Sequence, residues 1–106
     1  MRYAAQVQIF KVLANPIRLR ILDALRKGEH SVGELCRRLD VEQTSMSQHL
    51  SVLRANGFVV TDRRGPSIFY SIEDTTVLQL LDCADHVLRS RRGASRALRR
   101  IEGGRA

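Results

Sequence analysis

The sequence predicts a mainly α domain carrying one small β-hairpin, in the order α-α-α-α-β-β-α. Three observations predict it. Apolar residues recur at helical spacing in five separate stretches between residues 3 and 88. The period changes to two between Val59 and Ile72, on either side of a turn sequence containing Gly65-Pro66. One stretch, Val41–Gly57 (VEQTSMSQHLSVLRANG), sets an apolar face against a face of small, uncharged polar residues.

Size and composition limit the possibilities. At 106 residues the chain has room for one domain with a modest core, a size at which oligomerisation often adds stability. A content of 43% hydrophobic and 27% charged residues fits a soluble globular protein. With only five aromatics, few platforms exist for stacking the bases of single strands. No run of about 18 apolar residues exists, so no membrane span is expected. The start, MRYAAQVQIFKVL, is amphipathic and lacks the layout of a cleavable signal, so it reads as part of the fold. A cytoplasmic location is therefore expected. The net charge of +7 is unevenly placed: residues 1–88 carry +1 and residues 89–106 carry +6. A basic tail suits contact with a polyanion, or serves as a solubilising, flexible terminus. Two cysteines, Cys36 and Cys83, cannot build a disulfide framework.

The first helix is expected over residues 3–14. Val7, Phe10, Leu13 and Ala14 form one stripe, and Ile9 and Val12 widen it, so this helix is expected to contact two bodies. Asn15-Pro16 supplies an N-cap and a first helical residue for the second helix. Its core face is Ile17, Ile21, Leu22 and Leu25, and Gly28 is its stop. Ser31 and Glu34 make a capping-box pattern that opens a third helix over Val32–Leu39. Asp40-Val41-Glu42 is a short turn into the fourth helix.

In the fourth helix Met46, Leu50 and Leu53 face one way; Gln43, Thr44, Ser47, Gln48, Ser51 and Arg54 face the other. Such side chains suit base edges and phosphates. Two helices joined by so tight a turn suit a helix-turn-helix, whose second member enters the major groove. Val59–Asp62 and Ile68–Ile72 are expected strands, and Arg63-Arg64-Gly65-Pro66-Ser67 a turn with two arginines at its tip. A hairpin directly after a helix-turn-helix is a wing, and arginines at its tip suit phosphate or minor-groove contact. Glu73-Asp74-Thr75 supplies acids and a cap for the last helix, with a stripe of Val77, Leu80, Leu81, Ala84, Val87 and Leu88.

Four segments, ANPIRLRILDAL, SVGELCRRL, SMSQHLSVLRANGFV and RRGPSIFYSI, stand in an order and spacing that resemble the ArsR/SmtB family of winged helix-turn-helix repressors. The resemblance covers roughly residues 5–90. It implies a homodimer through the first and last helices, a palindromic double-stranded operator, and a ligand that changes operator affinity. Position by position, it puts Thr44, Ser45, Ser47, Gln48 and His49 on the recognition helix and Arg63 and Arg64 on the wing. The family often has Ser where this chain has Glu42, a poorer N-cap whose charge disfavours a nearby phosphate. Residues 1–91 are accordingly read as one DNA-binding and dimerisation domain, and 92–106 as a basic, flexible tail.

The resemblance also implies where a signal could enter. The family's paired-thiolate site needs a second cysteine where this chain has Arg38, two residues after Cys36. A second family site uses acids and histidines on the last helices of two subunits. Its candidates here are Asp82, Cys83, Asp85 and His86, holding a transition metal such as nickel or zinc, although the further histidine of that pattern is absent from residues 92–106. A plain alternative is an interfacial cysteine beside a solvated Asp/His face. A thiol-responsive branch pairs a cysteine in a segment like SVGELC with one in the last helix. Cys36 and Cys83 are the candidates, Cys83 lying earlier than that pattern places it. His30 and His49 read as structural or DNA-facing.

Two function classes follow. One is a DNA-binding regulator. The other is a protein-interaction module, or a regulator acting with an accessory protein and without its own sensor, which the near-neutral body and Glu42 favour. No catalytic constellation is visible, so an enzyme is not expected.

Overall fold

The computed structural model describes residues 2–91 and 100–101. Their elements are α1 (Arg2–Leu13), α2 (Pro16–Leu25), β1 (His30–Ser31), α3 (Val32–Leu39), α4 (Gln43–Ala55), β2 (Val60–Arg64), β3 (Ser67–Ser71) and α5 (Thr76–Ser90). They fall into two compact units divided between Asp74 and Thr75. Most of the basic tail expected at 92–106 lies outside the described residues. No helix among the described residues is long and apolar enough to cross a membrane.

In the first unit, helix starts follow the capping chemistry. The Asn15 side chain accepts from the backbone N–H of Ile17 at 3.0 Å and of Arg18 at 3.1 Å, and Pro16 follows as the first residue of α2. The capping box of α3 is closed in both directions. Ser31 N–H donates to Glu34 Oε1 at 2.9 Å, and Glu34 N–H donates to Ser31 Oγ at 3.2 Å. The turn from α3 to α4 places Asp40 at a φ of +54°, a left-handed conformation that Asp tolerates better than most residues. The end of α4 is a Schellman arrangement: Phe58 N–H donates to Leu53 O, Gly57 N–H donates to Arg54 O, and Gly57 takes a φ of +79°.

The core of this unit is the meeting of α2, α3 and α4. Ile21, Leu22, Leu35, Met46, Leu50 and Leu53 are fully buried. Replacing a Leu so placed by Ala costs about 2–5 kcal/mol, so the inner face of α4 is held firmly.

Two details of this unit differ from expectation. A two-residue strand, β1, precedes α3 and pairs antiparallel with β3 (His30 with Tyr70, Ser31 with Phe69), giving a three-stranded sheet in the order β1-β3-β2. Two residues are too few to show an alternating pattern, and their partners lie about forty positions downstream. The hairpin is also tighter than expected. Arg63 and Arg64 pair with Ile68 and Ser67 inside the ladder, and the turn is reduced to Gly65-Pro66. Gly65 takes a φ of +59°, the conformation that a two-residue loop asks of its first member. The apolar surface of α1, expected to contact two bodies, is divided. Val12 and Leu13 are buried, whereas Tyr3, Val7 and Phe10 are 66%, 48% and 57% exposed.

The second unit contains α5. Val77 and Leu78 are buried, Leu80, Leu81 and Leu88 half-buried, and Val87 exposed. Thr75 stands at the N-cap position without a side-chain cap hydrogen bond, contrary to the cap expected there.

Candidate nucleic-acid interface

Because Met46, Leu50 and Leu53 are wholly buried, the rest of α4 is turned outward. Gln43, Thr44, Ser47, Gln48, Ser51 and Arg54 are all exposed. This face carries hydroxyl and carboxamide groups at several heights and one guanidinium near its C-terminal end. Ser45 and His49 sit at its margin, half-buried. At the N-terminal end Glu42 makes no side-chain cap bond, so the first N–H groups of α4 lack that partner and a carboxylate stands near them.

The wing continues the surface. A groove of about 500 Å³ runs between it and the helices, with Gly33 and Arg37 of α3, Gln43 and Ser47 of α4, and Pro66, Ser67, Ile68 and Tyr70 of the hairpin on its walls. Directly paired residues share a face of a sheet, and alternate residues along a strand do too. Arg63 pairs with Ile68 and Thr61 with Tyr70, so Arg63 shares a sheet face with Ile68 and Tyr70, two residues of the groove wall. Arg64 belongs to the opposite face. It donates to Glu29 Oε1 and Oε2, both at 2.7 Å, and to Asp62 Oδ2 at 2.9 Å, and its guanidinium lies 4.5 Å from the centre of the Phe69 ring. The bonds from Glu29 first, then Asp62, raise its pKa above the ordinary arginine value. Two adjacent arginines thus have different surroundings, and Arg63 makes no hydrogen bond or ion pair among the described residues.

Two arginines of α2 brace the site from behind. Arg20 donates to Leu39 O at 2.7 Å, and Arg18 to Val12 O at 2.7 Å, so each satisfies a carbonyl at a helix C-terminus. Arg18 also approaches His49 Nδ1 at 3.4 Å. A guanidinium only donates, so a hydrogen bond here requires Nδ1 to be the acceptor and favours the neutral imidazole. Burial, and then the charge of Arg18, push the His49 pKa below its usual value. On the outer side of α4, Gln8 donates to Asn56 Oδ1 at 3.3 Å, and Asn56 donates in turn to Val52 O at 2.8 Å. These contacts tie α1 to the C-terminal end of α4, and α2 to the middle of α4 and the end of α3.

Residues 13–62 match the model of a helix-turn-helix domain family. The HTH-type transcriptional regulator NmtR of Mycobacterium tuberculosis is 50% identical over 80 residues, covering 74% of this chain and 67% of the relative. The crystal structure of M. tuberculosis Rv0081 superposes with a TM-score of 0.77 at 39% identity, covering 83% of this chain and 89% of that one. The solution structure of the homodimeric winged helix-turn-helix domain Mb0332 of Mycobacterium bovis, a possible ArsR-family regulator, matches with a TM-score of 0.75 at 29% identity, covering 85% and 83%. The chain belongs to the ArsR/SmtB family of winged helix-turn-helix transcriptional regulators.

Within this ArsR/SmtB chain the expected sensing residues are placed as follows. Asp82, Cys83, Asp85 and His86 all lie on α5 and are exposed. Among the described residues of one chain, no three His, Cys, Asp or Glu side chains gather into a group able to hold a metal ion. Cys36 is a half-buried free thiol on α3 and Cys83 an exposed free thiol. Glu29, Arg18 and Arg20 escaped the reading of the sequence. Each acts on a partner at least six positions away, and nothing in local spacing marks such pairs.

The His49 environment makes a pH-dependent prediction. Its folded pKa lies below the unfolded value of 6.5, so the unfolded chain binds the proton more readily. Stability is therefore unaffected by His49 above about pH 7 and falls as pH drops through 6.5 toward the folded value. Chemical denaturation at pH 7.5, 6.5 and 5.5 should show His49→Gln losing less stability across this range than the native protein. An equal or steeper loss in the variant would contradict the assignment of a neutral His49.

Proposed function

We propose that the chain is a homodimeric repressor that binds a palindromic operator by placing α4 of each copy in a major groove. The observation that carries this reading is the two-sided character of α4, with one face wholly buried and the other exposed, uncharged and rich in hydrogen-bonding groups. The exposed apolar residues Tyr3, Val7 and Phe10 of α1 supply surface that a second copy would cover, and the homodimeric state of Mb0332 supports the same arrangement. Gln43, Thr44, Ser47, Gln48 and Ser51 then read bases, with Ser45 and His49 at the edge of the contact. Arg54 and Arg63 neutralise phosphates. The basic C-terminal residues add non-specific attraction, and the protein acts in the cytoplasm, where its DNA is.

The proposal separates reading from anchoring. Gln48→Ala should lose about 1–3 kcal/mol of discrimination between operator and mismatched duplexes. Arg63→Ala should weaken all duplexes alike and reduce the slope of log K against log[salt] by about 1. Gel-shift titrations on specific and random duplexes at several salt concentrations check both. Equal losses on both duplexes for both variants would contradict the assignment. Duplex retained only with a second protein would instead favour a regulator that needs an accessory partner.

A signal that sets operator affinity is the second part of the proposal. Among the described residues, one chain alone does not gather a metal site. Pooling Asp82, Cys83, Asp85 and His86 from two copies of α5 would supply enough donors for nickel or zinc. The competing chemistry is oxidation of Cys36 and Cys83. Operator binding measured with chelator, nickel, zinc and a thiol oxidant distinguishes them. A metal response abolished by His86→Ala supports the pooled site. An oxidant response abolished by Cys36→Ser as well as Cys83→Ser supports the thiols. Indifference to every treatment would contradict both.

A further inference from the structure

The two wing arginines look equivalent in the sequence and are not equivalent in the fold. Arg64 on β2, Phe69 on β3 and Glu29, one residue before β1, lie on one face of the three-stranded sheet. Phe69 pairs with both Asp62 and Ser31, which places Glu29 and Arg64 on the same side by the period-two rule. Arg64 reaches across the central strand over the Phe69 ring, at 4.5 Å, and closes a bidentate pair with Glu29. Asp62 holds its Nε from the same strand. This one side chain thus links β2, β3 and the residue that leads into β1.

That matters because β1 is only two residues long, and its ladder alone gives little purchase on the hairpin. Packing holds the hairpin on one strand only: β3 is half-buried beside β1 and α3, whereas four of the five residues of β2 are exposed, and a two-stranded hairpin has little stability of its own. An ordinary exposed ion pair contributes little, but a fork-to-fork arginine–carboxylate pair within a network of charges has the directional geometry that holds a position.

We propose that the Glu29–Arg64 pair sets the position of the wing for DNA binding, with Arg64 a positioning residue and Arg63 the wing residue that meets the phosphate. This rests on the DNA-binding reading above. It makes an unusual demand: removing the negative charge of Glu29 from a DNA-binding surface should weaken binding. Simple electrostatics predicts the reverse.

The test uses the full chain, with Glu29→Gln, Arg64→Gln, Arg64→Lys and the Glu29→Gln/Arg64→Gln double variant. Operator affinity is measured across a salt series, and unfolding without DNA in parallel. Glu29→Gln and Arg64→Gln should each lose about 3- to 10-fold in affinity with the salt slope unchanged, and the double variant should lose no more than either. Arg64→Lys should fail to restore affinity, because an ammonium cannot form the fork. Arg63→Ala should cost less in the Glu29→Gln background than in the native one. The proposal is overturned if Glu29→Gln binds as well as or better than native while Arg64→Gln lowers the salt slope by about 1. It is equally overturned if Arg64→Lys binds like native. Should the native chain prefer no duplex, the DNA-binding reading fails by itself, and the unfolding data still judge the pair: additive losses from Glu29→Gln and Arg64→Gln would show that no clamp exists.

Discussion

The complete burial of Met46, Leu50 and Leu53 is the constraint on which the rest depends. These three side chains hold α4 against α2 and α3 so that its rotation about its own axis is settled. Turning the helix by one residue, about 100°, would bring Ser47 or Gln43 into an apolar core with no partner for its polar group, a change costing more than most domains of this size can spare. The outer face is thus a consequence of the inner one. Its hydrogen-bonding groups are presented on a rigid element, which is what recognition by base edges requires.

The same logic operates in the wing with a different period. Strand geometry sends Arg63 and Arg64 to opposite faces of the sheet. One face carries Arg63 with Ile68 and Tyr70, which line the groove beside Gln43 and Ser47; the other carries Phe69, Asp62 and the reach to Glu29. Identical side chains at adjacent positions acquire different surroundings: Arg64 is bonded to Glu29 and Asp62, and Arg63 has no such partner among the described residues. Behind α4, Arg18 and Arg20 repeat the pattern. Both belong to α2 and both serve as caps for neighbouring helices, so three of the chain's arginines stabilise structure. Net charge alone therefore overstates the cation available for DNA.

What the sequence made legible was local. The Asn15-Pro16 start, the Ser31/Glu34 capping box, the uncapped start of α4 after Glu42 and the two faces of α4 are all set by residues within one or two turns of each other. What it concealed was non-local or depended on a single residue of register. The β1 strand exists only through Tyr70 and Phe69. The arginines moved from the turn into the strand because Gly65 allows a tighter loop than the five-residue turn expected. On α1 the spacing marked Val7 and Phe10 as apolar surface but not that both are exposed in the single chain, since amphipathic spacing says that a face is apolar and not what covers it.

The central claim is that the exposed face of α4 reads a duplex twice, once per copy. Selection of tight-binding duplexes from a random double-stranded library tests it most directly. Enrichment of an inverted repeat with half-site centres about 34–36 Å apart, one helical turn, is expected. Enrichment of no motif, or of a lone half-site without a symmetric partner, would contradict it.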